Sequence, residues 1–253
     1  MALLQLEGVT QRFGGLVAVD ALSFAIEPGA IVAMIGPNGA GKSTVFNLVT
    51  GIYRPSAGRI LFDGADITGR PTSTIAAAGI ARTFQNIRLF SFMSALDNVI
   101  TGEHARLRSG IVEAVLRVPK QRAEERAARA KALDLLRFCG IEKFAETYAR
   151  NLAYGMQRRL EIARALASDP KLLMLDEPAA GMNPSEKRDL VGLIRAIRDR
   201  GVTVFLIEHD MALVMEISER ITVLDHGERI AEGDAATIRS DARVQEAYLG
   251  TPA

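Results

Sequence analysis

The sequence has little cysteine, no excess of either charge and no long apolar stretch. Each of these absences excludes some classes of protein. The single cysteine, Cys139, excludes a disulfide within the chain. The 31 basic and 30 acidic residues give a formal net charge of +1, so there is no electrostatic reason to expect nucleic acid as the main partner. We therefore expect a globular protein that folds without disulfides and binds no nucleic acid.

Apolar runs such as IVAMIG, at 31–36, have the length of buried strands rather than the roughly 18 to 20 residues of a membrane span. The opening segment, MALLQLEGVT, lacks the basic region and apolar region of a secretion signal. We expect a cytoplasmic protein that is soluble when isolated. Any contact with a membrane should be made through a partner.

Strand patterns alternate with helix patterns along the chain. Alternating apolar residues at 22–26 predict a strand with one buried face, and the run 30–35 predicts a fully buried strand. A glycine-rich loop and a helix ending near Gly51 follow. Further strands are predicted at 58–63, 79–84, 171–176, 202–208 and 220–225, with a hairpin turn at 226–229. This alternation predicts an α/β fold whose mainly parallel sheet is flanked by helices.

The stretch from about 88 to 165 has a different composition and is predicted to be a helical insertion. Pro119 precedes KQRAEERAARAKALDLLRF, which lacks strand formers and should be a largely solvated helix. Its basic residues are interleaved with Glu124, Glu125 and Asp134. This pattern favours a helix face with ion pairs over a patch that binds nucleic acid.

The segment GPNGAGKS forms a phosphate-binding motif between a predicted strand and a predicted helix. Its glycines let main-chain N–H groups turn toward phosphate oxygens, and the helix adds the positive end of its dipole. Lys42 should neutralise the β and γ phosphates, Ser43 should ligate Mg²⁺, and Thr44 should touch the α phosphate. The residues predicted to hold ATP are Gly36, Pro37, Asn38, Gly39, Ala40, Gly41, Lys42, Ser43 and Thr44.

The segment LLMLDEP places two carboxylates at the carboxyl end of a predicted strand, where a parallel sheet binds ligands. Asp176 is expected to hold Mg²⁺ through water, and Glu177 to polarise an attacking water. Phosphoryl transfer needs both charge neutralisation and a positioned nucleophile. Because neighbouring side chains on a strand alternate between faces, the two acids are given different roles.

Two further polar residues follow predicted strands. Gln85 comes after GIARTF and should reach the metal or the water, and His209 comes after VTVFLIE and should reach the γ phosphate. His104 and His226 have no such context and are expected at the surface. Composition alone leaves Phe13 open between a core residue and a stacking platform.

These motifs occur in order with NLAYGMQRRLEIARAL between them, and the chain resembles the nucleotide-binding subunits of ATP-binding cassette (ABC) transporters over essentially its whole length. The segments RFGGLVAVDALSF, ARTFQNIRLF, EPAAGMNPSE and VQEAYLG are similar to the ATP-binding subunit of bacterial branched-chain amino-acid uptake systems. The resemblance implies one P-loop ATPase domain over 1–253 with an antiparallel β subdomain. It also implies a helical subdomain at about 88–165 and a C-terminal helical extension at about 236–253.

The resemblance assigns further contacts. It implies that Phe13 stacks on adenine, that residues 88–98 line a groove for a permease helix, and that residues 179–183 contact the opposite subunit. The family signature is usually Leu-Ser-Gly-Gly-Gln, and residues 152–156 here are Leu152, Ala153, Tyr154, Gly155 and Met156. The resemblance implies that Ala153, Tyr154, Gly155 and Met156 face the γ phosphate bound to the other subunit.

The residues after Met156 predict a helix with one apolar face, on which Leu160, Ala163 and Ala167 lie. Its charged residues, Arg158 and Glu161 among them, are expected to point elsewhere. Gly155 then lies at a helix N-terminus, where unpaired N–H donors can receive an anion.

The resemblance implies an ATPase subunit, working with ATP and Mg²⁺, of an importer for branched-chain amino acids. Two copies, or a pair with a paralogue, should close on two MgATP and drive transmembrane permease subunits from the cytoplasmic face of the inner membrane. A periplasmic binding protein is an indirect partner. The alternatives are a soluble cassette ATPase acting on DNA or ribosomes, a P-loop kinase of small molecules, and an importer of a related amide or urea.

Overall fold

The computed structural model describes residues 1–103 and 119–249, and their side chains outside 119–123 and 249. These residues form two compact units. Met1–Arg82 and the chain from Lys171 onward make up what we call the larger unit, and Thr83–Pro170 make up the smaller unit. None of the helices in the described ranges is long and apolar enough to cross a membrane.

The larger unit contains a four-stranded antiparallel sheet with the order β2-β1-β4-β5. Its strands are β1 Leu4–Phe13, β2 Leu16–Ile26, β4 Ala57–Phe62 and β5 Ala65–Asp66. Leu22, Phe24 and Ile26 are buried on one face of β2, as their alternation predicts. The long strand β1, which pairs with both β2 and β4, was not predicted from the sequence.

The second sheet of the larger unit has six strands in the order β10-β9-β3-β8-β7-β6. They are β3 Ile31–Ile35, β6 Ile80–Arg82, β7 Leu172–Asp176, β8 Thr203–Ile207, β9 Arg220–Asp225 and β10 Glu228–Gly233. All neighbours pair in parallel except β10, which pairs with β9 in antiparallel. Every residue of β3, β7 and β8 is buried. Parallel sheets are covered on both faces, and here Phe24 of β2 and Phe46 both pack against Phe205 of β8.

The predicted strands of this sheet are confirmed, with one difference in length. Strand β6 ends at Arg82 instead of residue 84, so Gln85 does not directly follow a strand. The predicted hairpin turn is also confirmed. His226 and Gly227 connect β9 to β10 with φ of 45° and 85°, which is the left-handed geometry that a two-residue turn requires.

Helices of the larger unit follow the strands along the chain. They are α1 Lys42–Val49, α2 Thr72–Ala78, α6 Pro184–Asp199, α7 Met211–Ile217, α8 Ala235–Ser240 and α9 Ala242–Leu249. Asn183 and Glu186 form a capping box at the start of α6, since the side chain of each residue accepts the main-chain N–H of the other. Phe46 of α1 and Phe205 of β8 pack together in the core.

The smaller unit is helical, with α3 Ala95–Gly102, α4 Pro119–Phe138 and α5 Tyr154–Leu166. Leu96, Val99, Ala132, Leu136 and Leu160 are among its buried side chains. The exposed face of α4 carries the ion pairs that its composition predicts, including Arg137 with Asp134. The expected surface position of His104 lies outside the described residues.

The expectation that Arg158 and Glu161 point away from the packed face of α5 is wrong. Both side chains are buried, with exposed fractions of 0% and 1%. They form an ion pair of 2.8 Å and bond main-chain groups of the segment 84–88. Charged residues are rarely buried without such partners, and a sequence pattern does not reveal them.

Candidate nucleotide-binding site

The phosphate-binding loop connects β3 to α1 at the carboxyl edge of the parallel sheet. Two of its glycines are required by close contacts as well as by positive φ. A Cβ on Gly36, at φ 151°, would lie 2.1 Å from the carbonyl oxygen of Leu224, and one on Gly41, at φ 102°, would lie 2.4 Å from that of Ala18. No larger residue fits at either position, so the loop keeps its main chain close to the surrounding strands.

Lys42 is buried at the start of α1, and its ammonium donates to the carbonyl oxygens of Gly36, at 2.7 Å, and Pro37, at 2.8 Å. Burial lowers the pKa of Lys42, while the negative charges of Glu177 and Asp176 oppose that shift. The lysine is thus held over the loop within electrostatic reach of both strand-end carboxylates.

The start of α1 is suited to an anion. Among the described residues, no side chain caps its N-terminus at Gly41, so the N–H groups of the first turn remain available to a ligand. The Ser43 side chain is exposed there, and that of Thr44 is half-buried. These residues fit a nucleotide polyphosphate, and the Ser43 hydroxyl is of the donor type that Mg²⁺ accepts.

Elements distant in sequence hold the loop in place. Gly227 of the β9–β10 turn donates its N–H to Ala40 at 3.0 Å and accepts the N–H of Asp20 at 2.9 Å. Burial raises the pKa of the Tyr248 phenol on the C-terminal helix α9, and the main chain of Gly36 opposes that shift. The sequence analysis missed this contact of Tyr248.

Asp176 is the last residue of β7, and its carboxylate accepts a 2.8 Å bond from Arg82 of the neighbouring strand β6. Both side chains are almost completely buried. Arg82 also donates to Asn47 of α1 at 2.7 Å. The carboxylate is therefore fixed in direction, and its oxygens are the hard ligands that Mg²⁺ prefers. The sequence analysis missed Arg82, although a basic residue in a strand beside an acidic strand end is a usable signal.

Glu177 lies beyond the strand rather than on it. Its φ of 48° is left-handed, and its N–H donates to Ile207 of β8 at 2.9 Å. Contrary to expectation, the side chains of Glu177 and Asp176 therefore do not differ in direction through strand alternation, because Glu177 is not part of the strand. Its Oε1 lies 2.6 Å from Nε2 of His209, so the structure brings these two predicted residues together.

Glu208 is a buried carboxylate that the sequence analysis missed. It accepts the N–H of Ala179 at 2.7 Å and that of His209 at 3.1 Å. Burial raises its pKa, and the hydrogen bonds from these N–H groups oppose the shift. Because Ala179 lies two residues after Glu177 and His209 directly follows Glu208, one carboxylate ties together the turns after β7 and β8. An acid directly after the apolar run VTVFLI was the available signal.

Phe13 lies at the end of β1 with 42% of its surface exposed. Its ring meets that of Tyr53 edge to face, with centroids 5.1 Å apart. Phe13 is therefore not a core residue, and it offers a supported aromatic face. The sequence analysis did not single out Tyr53.

The remaining predicted residues belong to the smaller unit. Ala153 is the N-cap of α5 and provides no side-chain cap, Gly155 is buried in the first turn, and Tyr154 is 45% exposed. Gln85 has an exposed side chain. In the larger unit, the side chain of His226 is 94% exposed, as expected, and pairs with Asp225.

A lysine held over a glycine-rich loop, near two acids at the carboxyl end of another parallel strand of the same sheet, is the arrangement by which P-loop ATPases bind and hydrolyse nucleotide. The fold and the site place the chain in that class. A sequence profile of the family "ABC transporter" matches residues 19–180, and that of the family "Branched-chain amino acid ATP-binding cassette transporter" matches residues 228–253.

Comparison with individual proteins agrees. The chain is 47% identical to the "High-affinity branched-chain amino acid transport ATP-binding protein BraF" of Pseudomonas aeruginosa and 45% identical to its counterpart LivG of Escherichia coli K12, over 98% of each chain. A solved structure of the ADP conformation of an ATP-binding cassette of an ABC transporter matches with a TM-score of 0.85 and 30% identity, over 99% of each chain. The chain belongs to the ABC transporter family and is an ATPase that binds nucleotide.

Proposed function

We propose that this chain is the ATP-hydrolysing subunit of an importer for branched-chain amino acids. The observation that carries the proposal is its identity of 47% with a branched-chain amino acid transport ATP-binding protein along nearly its whole length. The C-terminal match to the branched-chain family supports the same assignment. The two units together form one ABC ATPase domain, in which the smaller unit is the helical subdomain.

At the catalytic site, Lys42 and the N–H groups of the loop hold the β and γ phosphates of ATP. Ser43, Gln85 and Asp176, the last through water, would hold Mg²⁺, which would supply neutralisation of the charge on the β and γ phosphates. Phe13, braced by Tyr53, stacks on the adenine. These roles use the exposed Ser43 hydroxyl, the directed Asp176 carboxylate and the supported Phe13 ring.

Glu177 positions the water that attacks the γ phosphorus, and His209 orients that carboxylate through its 2.6 Å contact and reaches the γ phosphate. The oxygen of the water bonds to the γ phosphorus. At the same time the bond between that phosphorus and the oxygen shared with the β phosphate breaks, which gives ADP and phosphate. Residues 153–156 of a second subunit, a copy or a paralogue, complete the site through the N-terminus of α5. Closure of the pair then drives the permease from the cytoplasmic side of the membrane.

The smaller unit offers a surface for the permease within the predicted segment 88–98. Phe90 and Phe92 are 52% and 75% exposed, and exposed aromatic side chains mark contact surfaces. Arg150 lies over the Phe92 ring at 4.6 Å, which holds this ring in place. A helix of a permease subunit would cover these rings.

Action on nucleic acid is less well supported. Cationic side chains of α4 are engaged by acids, as in the pairs of Arg129 with Glu146, Lys131 with Asp169 and Arg137 with Glu142. Paired cations leave little net attraction for a phosphate backbone. Import of a related amide or urea would use the same ATPase, since this subunit does not contact the transported molecule.

Transport in cells tests the proposal. The chain would be expressed with permease and binding-protein subunits of a branched-chain amino-acid importer, in a strain without branched-chain uptake, and uptake of radiolabelled leucine, isoleucine and valine would be measured. The wild type should restore uptake, and Glu177→Gln at equal abundance should not. Uptake of urea or an amide without leucine, isoleucine or valine would refute the substrate assignment.

A further inference from the structure

The buried pair of Arg158 and Glu161 on α5 takes no part in the site described above. Their side chains are 0% and 1% exposed, and Nη1 of Arg158 lies 2.8 Å from Oε2 of Glu161. A buried ion pair adds little to stability by itself, because removing both charges from water offsets their attraction. The other groups that the pair contacts therefore indicate its role.

Both members of the pair bond the main chain of one short segment, residues 84–88. Arg158 donates to the carbonyl oxygens of Phe84, at 2.6 Å, and of Gln85, at 2.8 Å. The Oε1 atom of Glu161 accepts the N–H groups of Phe84 and Arg88, each at 3.3 Å. The planar fork of Arg158 suits two neighbouring acceptors, which a lysine ammonium would not hold in the same way.

These bonds hold the main chain of the segment that contains Gln85. Strand β6 ends at Arg82, so no sheet pairing holds residues 84–88 in the described structure. The side chain of Gln85 is exposed while its carbonyl group is held by Arg158. Helix α5 thus bonds the main chain of Gln85 within the smaller unit.

The same arginine also reaches the first turn of α5. Its Nη2 donates to the Tyr154 hydroxyl at 3.2 Å, and Tyr154 precedes Gly155. One guanidinium therefore contacts both the turn that carries the signature residues and the main chain of Gln85.

We propose that Arg158 and Glu161 are positioning residues that make Gln85 follow the N-terminal turn of α5, so that Gln85 and the signature residues shift together. The proposal rests on the proposed function, in which Gln85 serves its own subunit's ATP and Gly155 the ATP of the other. A displacement of α5 on closure is then transmitted to Gln85 through four main-chain hydrogen bonds, and neither charged residue contacts nucleotide.

A double-mutant cycle on the full chain tests this coupling. Arg158→Lys keeps the positive charge that faces Glu161 but loses the planar guanidinium. Gln85→Ala removes the side chain that the ion pair is proposed to position. In the otherwise wild-type chain, Arg158→Lys should lower kcat about 10-fold and change the ATP affinity of the monomer less than about 2-fold. In the Gln85→Ala background it should lower kcat less than about 2-fold further, because residues that act through one another are not additive.

Arg159→Lys is the matched control, since Arg159 is the next residue on α5 and bonds the Cys139 carbonyl at 3.0 Å. It should change kcat less than about 2-fold in both backgrounds. If Arg158→Lys does not fold by thermal melting, the isosteric Glu161→Gln takes its place in the cycle, with the same non-additivity expected.

An equal loss from Arg158→Lys in both backgrounds, or no loss in a folded variant, would overturn the coupling. A wild-type chain without ATPase activity would instead contradict the proposed function. As a second measurement, amide hydrogen exchange at Phe84 and Arg88 should speed up at least about 10-fold in Glu161→Gln and remain unchanged in Arg159→Lys. Unchanged exchange in Glu161→Gln would also overturn the proposal.

Discussion

Nε2 of His209 lies 2.6 Å from Oε1 of Glu177, although 32 residues separate them in the sequence. Strands β7 and β8 are neighbours with Asp176 opposite Ile207, so the turns after both strands begin at the same level of the sheet. The N–H of Glu177 bonds Ile207, and the Glu208 carboxylate bonds Ala179 and His209. The main chain thus brings the two turns together, and the side chains of Glu177 and His209 meet between them.

Replacing Glu177 should separate hydrolysis from binding. Glu177→Gln keeps the shape but lacks the charge that polarises water, so kcat should fall about 10²-fold or more, the scale of one general base. ATP affinity should remain, because Lys42 and the loop N–H groups are untouched. Equilibrium ATP binding and steady-state hydrolysis would be measured on one preparation. Glu186→Gln, in the capping box of α6, is the control, and near-normal hydrolysis by Glu177→Gln would remove Glu177 from the mechanism.

Removal of Lys42 should weaken nucleotide binding. Hydrogen bonds to a charged group contribute on the order of 1.5 to 3 kcal/mol, so Lys42→Ala should reduce ATP affinity roughly 10- to 150-fold. Calorimetric titration with MgATP measures this. Lys171→Ala, whose lysine pairs with Asp63 at the surface, should bind as the wild type does. Tight binding by Lys42→Ala would contradict the phosphate role.

The Tyr248 hydroxyl should support nucleotide affinity through Gly36. Tyr248→Phe removes the hydroxyl that the main chain of Gly36 influences and keeps the ring of α9, so the expected loss is that of about one hydrogen bond. A net loss of about 0.5 to 1.5 kcal/mol corresponds to an ATP affinity about 2- to 13-fold weaker. The measurement is the same titration, with Tyr148→Phe in the smaller unit as control. An unchanged affinity would show that the loop holds its shape without α9.

Gly155→Asp should abolish dimerisation without loss of ATP binding by the monomer. An acid in the first turn of a helix is favourable for the helix dipole, so α5 should still form, but the carboxylate would repel the γ phosphate of the other subunit. Dimerisation on ATP would be measured by gel filtration with light scattering in the Glu177→Gln background, alongside thermal melts.

Ala153→Ser is the control for Gly155→Asp, because it adds the missing N-cap to α5. It should stabilise that helix by about 0.5 to 2 kcal/mol and leave dimerisation intact. A well-folded Gly155→Asp protein that still dimerises on ATP would exclude the role of Gly155 at the second subunit's phosphate.

Glu208 should make stability depend on pH in a definite direction. Its pKa is raised in the folded state by burial, above the unfolded value of about 4.3. Its contribution to the free energy of unfolding is therefore greatest below that value and declines as pH rises through the folded pKa. Glutamine does not titrate, so the Tm of Glu208→Gln relative to the wild type should increase from about pH 4 upward. If the Tm of Glu208→Gln minus that of the wild type is constant or falls as pH rises, the result would contradict a raised pKa of Glu208.

Much of this molecule was open to prediction because local patterns specify it. The apolar runs 31–35, 172–176 and 203–207 are buried strands, and the acids, glycines and histidine that follow them meet at one edge of the sheet, as parallel topology requires. The long strand β1 escaped prediction because its segment, LQLEGVTQRF, does not alternate regularly, and its pairing with β2 and β4 has shifts in register.

The sequence by itself determined the phosphate-binding loop, the alternation of strands and helices after β1, and the acids Asp176 and Glu177, because each depends on residues close together in the chain. Tertiary structure alone decided that Arg158 and Glu161 are buried, that Arg82 directs Asp176 and that Glu208 ties Ala179 to His209. A charged side chain is buried only where other groups satisfy it. Those groups are main-chain atoms for Glu208 and largely for Arg158 and Glu161, and side chains for Arg82, and they come together only in the folded chain.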